Sequence, residues 1–151
     1  MFFLKNMKFY GSIYKYTIQY QKTNFLIFFL IFINMKLLIN DNLFKCKVCN
    51  TPESITKGMM KRKFDGFDCM VFLMPEKKEQ QFWMYDCLIP LDIVMVNDNV
   101  IETINPNCLP CVDSTNCEYY EGFGNVVLEF EGGTCDMLGI KVGDKIKMSV
   151  N

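Results

Sequence analysis

The sequence predicts a mainly β fold, a single compact sandwich or barrel with one or two short helices over residues 35–151. Three observations lead there. Half of the 151 residues are hydrophobic and 22% are charged, which supplies a core for one domain and excludes wholesale disorder. Short apolar runs alternate with Asn, Asp, Gly and Pro clusters about every 8–12 residues, the rhythm of an all-β domain. Composition also changes abruptly near residue 35, which sets the domain boundary.

Residues 1–34 carry four Lys and no acidic residue, leaving twelve basic and seventeen acidic residues for the remainder. Phe, Tyr, Ile, Asn and Lys fill 23 of these 34 positions, the chain lacks Ala and has one Arg, and such codon usage points to an AT-rich source. Three readings of the segment stay open. As a membrane anchor, its apolar run Phe25–Ile33 has nine residues, against about 20 for a spanning helix. As a cleaved export signal, it lacks the small-residue cleavage site. As an extension that is non-native or dispensable, it precedes Met35-Lys36-Leu37-Leu38-Ile39, which reads as a start leading into a first strand. The location follows from the choice: cytoplasmic if translation starts at Met35, membrane-anchored or exported otherwise.

From residue 35 the elements follow in order. Leu37–Ile39 and Leu43–Cys49 flank Asn40-Asp41-Asn42, whose residues tolerate positive φ, and form a hairpin. Phe44, Cys46 and Val48 share one strand face, with Lys45 and Lys47 on the other. Thr51-Pro52 is an N-cap followed by a first-turn proline, starting a helix over about 52–61 with Ile55 and Met59 on its buried side. Phe67–Met74 is a strand stopped by Pro75; Glu76–Gln81 is a charged turn, and Phe82–Met84 resumes the apolar run. Leu91–Val96 and Val100–Ile104 make a second hairpin around Asn97-Asp98-Asn99. Asn105–Tyr119 is an irregular loop with two prolines and three cysteines. Val126–Glu131 alternates as a half-buried strand, and Thr134–Leu138 is one helical turn closed by Gly139 in a left-handed cap. Ile140–Val142 and Lys145–Val150 close the chain as strands around Gly143-Asp144.

Net charge of −1 gives no basic footprint for nucleic acid. The absence of His removes Ser-His-Asp triads, Cys-His dyads and the H-E-x-x-H zinc motif.

Four ordered blocks between Gly58 and Asp144 resemble a known family. They are Gly58-Met59-Met60-Lys61-Arg62, then Met70-Val71-Phe72, then Phe82 to Ile93 (FWMYDCLIPLDI), and finally Val127-Leu128-Glu129, Gly132-Gly133-Thr134 and Leu138 to Asp144. The chain resembles the domain of unknown function 192 family. That resemblance implies a jelly-roll type of sandwich or barrel and no established activity; relatives include exported forms and short viral or phage forms starting near Met35. Three positions depart from the family pattern. Ile55 stands where Arg is common, Asp86 where Asn is usual, and Cys69 where Gly is expected.

Of eight cysteines, Cys46 and Cys49 lie on a strand with i and i+3 on opposite faces and make no knuckle. Cys69, Cys87 and Cys135 sit where a small buried apolar side chain suits a packed interior. Cys108, Cys111 and Cys117 share one loop and leave three readings open: metal binding, a disulfide or reactive thiol, and plain packing. The carboxylates Asp86, Asp92, Glu129 and Glu131 invite acid–base chemistry. For Asp92, at the start of a strand after Pro90-Leu91, backbone hydrogen bonding or pairing with Arg62 is the stronger reading, with Asp86 the second choice of partner. Trp83 is core if inward, and a stacking platform beside Tyr85 if exposed; a small sandwich favours core.

No nucleophile–base pair, phosphate loop or nucleotide fingerprint is present. The expected function is a non-enzymatic accessory module binding a small molecule or a protein, with no cofactor and no nucleic acid. Arg62, Trp83, Asp86 and Asp92 are its polar or ligand-contacting residues, and a membrane is involved only if residues 1–34 anchor it. The alternative is an enzyme, with a thiol or metal loop at Cys108, Cys111 and Cys117 or a carboxylate hydrolase site at Asp86 and Asp92.

Overall fold

The computed structural model describes residues 35–150; the three readings of residues 1–34 lie outside the described residues. Seven strands follow one another as β1 (Met35–Ile39), β2 (Asn42–Cys49), β3 (Cys69–Trp83), β4 (Leu91–Asn97), β5 (Val100–Cys108), β6 (Tyr119–Glu131) and β7 (Ile146–Val150). Two short helices, α1 (Pro52–Lys57) and α2 (Thr134–Met137), interrupt them. The strands form one sheet in the order β5-β4-β6-β3-β2-β1-β7. Only β2 and β3 run parallel, because α1 and the irregular residues after it carry the chain across between them.

The sheet curls into a half-barrel whose edge strand β5 is met at one end by the chain just before β7. Val100 and Lys145 form an isolated bridge, Ile101 N donates to Asp144 O at 2.9 Å, and Gly143 N donates to Ile101 O at 2.9 Å. One residue parity of the strands therefore meets inside the curl, where Leu37, Phe44, Val71, Val94, Leu128 and Ile146 share the first core. The opposite parity of β3, β4 and β6 would face water in an open sheet. Here a second core covers it: Met70, Phe72, Ile93, Met95 and Val127 pack against Met59, Met84 and the side chains of residues 55–67 and 82–120. Among the described residues, no helix is long and apolar enough to cross a membrane.

Local chemistry accounts for most boundaries. Asn40 (φ 52°), Asp98 (φ 49°) and Asn99 (φ 65°) take the left-handed conformations that tighten the two hairpins. Thr51 and Ser54 form a reciprocal capping box at the start of α1. That helix is shorter than the 52–61 expected, because Gly58, at φ 39°, turns the chain out after Lys57. Residues 67–84 are not two strands around a charged turn. β3 runs through Pro75 with a bulge between Leu73 and Lys78, where the proline's missing N–H breaks no ladder bond. Gln80, 4% exposed, donates to Glu76 O and Gly124 O, both at 2.9 Å, and stitches that bulge closed. β5 and β6 both extend into the stretch read as an irregular loop, leaving residues 109–118 between them. Ile140–Val142 is not a strand; after Gly139 (φ 64°) it is a turn that brings Ile140 into the first core.

Candidate ligand pocket around Glu129

Residues Val126 to Phe130 on β6 are all buried, because both faces of this central strand are covered. Glu129 interrupts that apolar run on the outer face. Its cross-strand neighbours are Met70 on β3 and Ile93 on β4, each 0% exposed, and Glu129 itself is 4% exposed. Its Oε2 is buried and has no hydrogen-bond partner. A carboxylate without a compensating donor is held off by desolvation, so burial pushes the Glu129 pKa up to about 8. At neutral pH the group is largely a carboxylic acid, able to donate one hydrogen bond.

Glu129 lines a cavity of about 250 Å³ between the outer sheet face and the layer formed by α1 and its following turn. Phe72, Phe82 and Trp83 bring aromatic rings to it; Met59, Met60 and Met74 bring thioethers, and Cys87 a thiol. Phe72 and Phe82 meet edge to face at 5.0 Å. Met60 and Cys87 are held opposite one another by an isolated antiparallel bridge. Gly58 also lines the cavity, and a Cβ there would press on Phe72 Cζ at 3.2 Å while φ stays at 39°, so glycine serves both the turn and the space. Lys57 is the one basic residue on the lining and is exposed. The thiols nearby stay protonated near neutral pH: burial first, then the Glu129 charge, pushes Cys87 up to about 12 and Cys49 up to about 11.

The residues singled out from the sequence are dispersed around this pocket rather than gathered in it. Trp83 belongs to it, but it is half-buried rather than core: it lines the cavity and stacks on exposed Tyr119 at 5.9 Å and 13°. Asp92 is a structural anchor. Fully buried at the barrel end, its Oδ1 accepts from Asn107 N (2.9 Å) and Gly133 N (3.0 Å), and its Oδ2 from Cys135 N (2.8 Å). It thereby ties β4 to the end of β5 and to the start of α2.

Arg62 does not pair with Asp92 or Asp86. Half-buried, it lies close enough to Cys49 for its charge to oppose the rise in that thiol's pKa. Asp86 is taken instead by Lys61, whose Nζ lies 3.3 Å from Oδ2 and whose N–H donates to the Asp86 carbonyl at 2.7 Å. Asp86 sits at φ 56° in the outer layer, whereas Asp92 has the inward parity of Val94 and Val96, so the two share no hydrolytic site. The cysteine loop supplies no metal-binding thiolate set either. Cys111 and Cys117 form a disulfide, and the buried Cys108 thiol donates to Asn105 O at 3.2 Å. The disulfide loop is pinned to the outer layer, with Asp86 N donating to Cys111 O (2.9 Å) and Cys111 N to Met84 O (3.1 Å).

A second, more open concavity near Phe44, Phe64 and Phe67 carries Asp68, whose Oδ2 already accepts from Lys45 N at 2.9 Å. The signal for Glu129 was present in the sequence as a lone acid inside the apolar run Val126–Phe130, a pattern of a strand covered on both faces.

The sequence matches the domain of unknown function 192 model (DUF192, described as an uncharacterized ACR) over residues 35–148. The chain belongs to the DUF192 family. A crystal structure of a protein of unknown function from Novosphingobium aromaticivorans resembles this DUF192 chain with a TM-score of 0.65 and 31% identity, covering 74% of this chain and 83% of that one. A Sinorhizobium meliloti protein, described as a candidate transcription regulator, is 23% identical with a TM-score of 0.66, covering 76% and 91% respectively, and shares the fold. No functionally curated protein matches the sequence. The solved relative from Novosphingobium agrees with a mainly β single domain and carries no assigned activity.

Proposed function

We propose that this DUF192 domain is a non-enzymatic binding module whose pocket takes a small, mostly apolar molecule with one polar group placed against Glu129. The observation that carries this reading is the buried carboxyl of Glu129, a residue that lines a cavity and whose Oε2 has no hydrogen-bond partner. Leaving a buried polar atom unsatisfied costs about 1–3 kcal/mol, a cost that a ligand completing the hydrogen bond would recover. An apolar pocket with one convergent polar group is the usual form of a small-molecule site. Catalysis is less well supported. Glu129 is the sole carboxylate on the lining, glycoside hydrolysis needs two, and the neighbouring thiols hold their protons.

The test is a panel of small cationic, neutral and anionic compounds, followed by methyl NMR of Met59, Met60 and Met74. Saturable shifts of these methyls by one chemical class, weakened by Glu129→Leu in a protein whose far-UV spectrum stays native, are expected. Absence of saturable shifts from every class would remove the reading.

A further inference from the structure

We infer that the ligand of this pocket is an organic cation, an ammonium head group of a few carbons, held by Glu129 as its counter-ion and by the surrounding rings and sulfur atoms. The inference rests on the pocket reading above and adds the charge of the ligand. Three features of the lining carry it. First, the lining holds one buried acid and no buried base, since Lys57 is its only cation and is exposed. An anionic ligand would leave the protein with a buried negative charge and no fixed partner for it.

Second, the walls are electron-rich. Phe72, Phe82 and Trp83 offer π-systems, and Met59, Met60, Met74 and Cys87 offer polarizable sulfur. Rings of this kind attract ammonium ions and give no such advantage to a neutral group of the same shape. Third, Oε2 of Glu129 has no donor within the protein, although Asp92, just as deeply buried, collects three. Neutral N–H groups satisfy Asp92; no such donor reaches Oε2 of Glu129, and a cationic ligand would supply the compensation that the backbone does not. A volume of about 250 Å³ matches roughly eight waters at about 30 Å³ each, enough for a trimethylammonium group and a short chain.

Binding then exchanges one positive charge for another. The Glu129 O–H bond breaks, its proton passes to bulk buffer, and the carboxylate keeps the electron pair and faces the ammonium ion. The titratable groups around Glu129 are Cys49 on β2, Cys69 on β3, Cys87 between β3 and β4, and Lys57 on α1. Burial keeps all three thiols protonated well above neutrality, so near neutral pH the proton released comes from Glu129.

The full chain is titrated calorimetrically at about pH 6.5 in two buffers of different ionisation enthalpy. The probes are choline, its neutral tert-butyl isostere dimethylbutanol, and the anion dimethylbutyrate. Choline is expected to bind with release of nearly one proton and to tighten about tenfold per pH unit up to about pH 8. Dimethylbutanol is expected to bind at least tenfold more weakly and without proton release. Glu129→Gln, a neutral isostere of the protonated acid, should lose the choline preference while its far-UV spectrum stays native. Dimethylbutanol binding as tightly as choline, choline binding without proton release, or undiminished choline binding by Glu129→Gln would each overturn the inference. If dimethylbutanol or dimethylbutyrate binds and choline does not, the cation is wrong and the pocket stands; if none of the three binds, both fall.

Discussion

Asp92 and Glu129 are two buried acids with opposite surroundings, and each can be tested by its own removal. Asp92→Ala would strand three buried N–H groups, of Asn107, Gly133 and Cys135, and we expect a loss of about 3–5 kcal/mol in urea unfolding. Asp92→Asn keeps one acceptor oxygen and turns an amide toward a donor, so a smaller loss is expected. Glu129 gives a pH signature instead. Its folded pKa, about 8, lies above the ordinary 4.5, so in that window the native state holds a proton that the unfolded chain has released. Stability is therefore highest below about pH 4.5 as far as this group is concerned, falls by about 1.4 kcal/mol per unit through the window, and levels off above about pH 8. Asp113 and Asp144, held low by their hydrogen bonds, act below the window, and the buried thiols act above it. Denaturant unfolding at several pH values should show this slope in the natural protein and its absence in Glu129→Gln; equal slopes would mean that the carboxyl is already ionised. Much at this scale was legible. Asp92's place after Pro90-Leu91 pointed to backbone bonding, but its partners lie 15 to 43 residues away and no local pattern names them. Arg62 failed as a partner because Lys61, next to it at φ 55°, reaches Asp86 first with both backbone and side chain.

At the scale of elements, turn chemistry was the reliable guide and strand ends were not. The Asn-Asp turns, the Thr51 cap and the Gly139 cap fell where their side chains or backbone freedom placed them, since each is decided within four residues. β3 escaped because continuing a strand through Pro75 depends on Gln80 reaching Gly124 on a neighbouring strand. The same crossing constrains β6. Gly124 pairs with Lys78 just past the bulge, and a Cβ at this glycine would fall on the Val96 carbonyl oxygen of β4. That atom is backbone inside a paired strand and cannot swing aside. Gly124→Ala should therefore cost about 2–3 kcal/mol, by overpacking rather than by backbone conformation, and should lower the melting temperature. A neutral result would show that β4 and β6 approach less closely than their pairing indicates.

For the whole molecule, the question is whether residues 35–150 hold all that their fold requires. Met35 at the start of β1 is 2% exposed and pairs with Val150 at the end of β7, so the first and last described residues meet in one ladder. The opposite edge of the sheet, β5, is met by the chain just before β7 through the Val100–Lys145 bridge and the bonds of Ile101 with Gly143 and Asp144. Among the described residues each core is a continuous cluster, and the family match begins at residue 35. The apolar sequence Phe25–Ile33 carries no charge or proline to restrain strand-to-strand association. A chain starting at Met35 is accordingly expected to fold, to unfold in a single cooperative step, and to melt no lower than the full chain. The full chain should be the more prone to aggregate on concentration. The measurement is a pair of thermal melts with light scattering recorded alongside. If the shortened chain were unfolded while the full chain melted cooperatively, then part of the core or of the sheet edge must come from residues 1–34, and the boundary at residue 35 would be wrong.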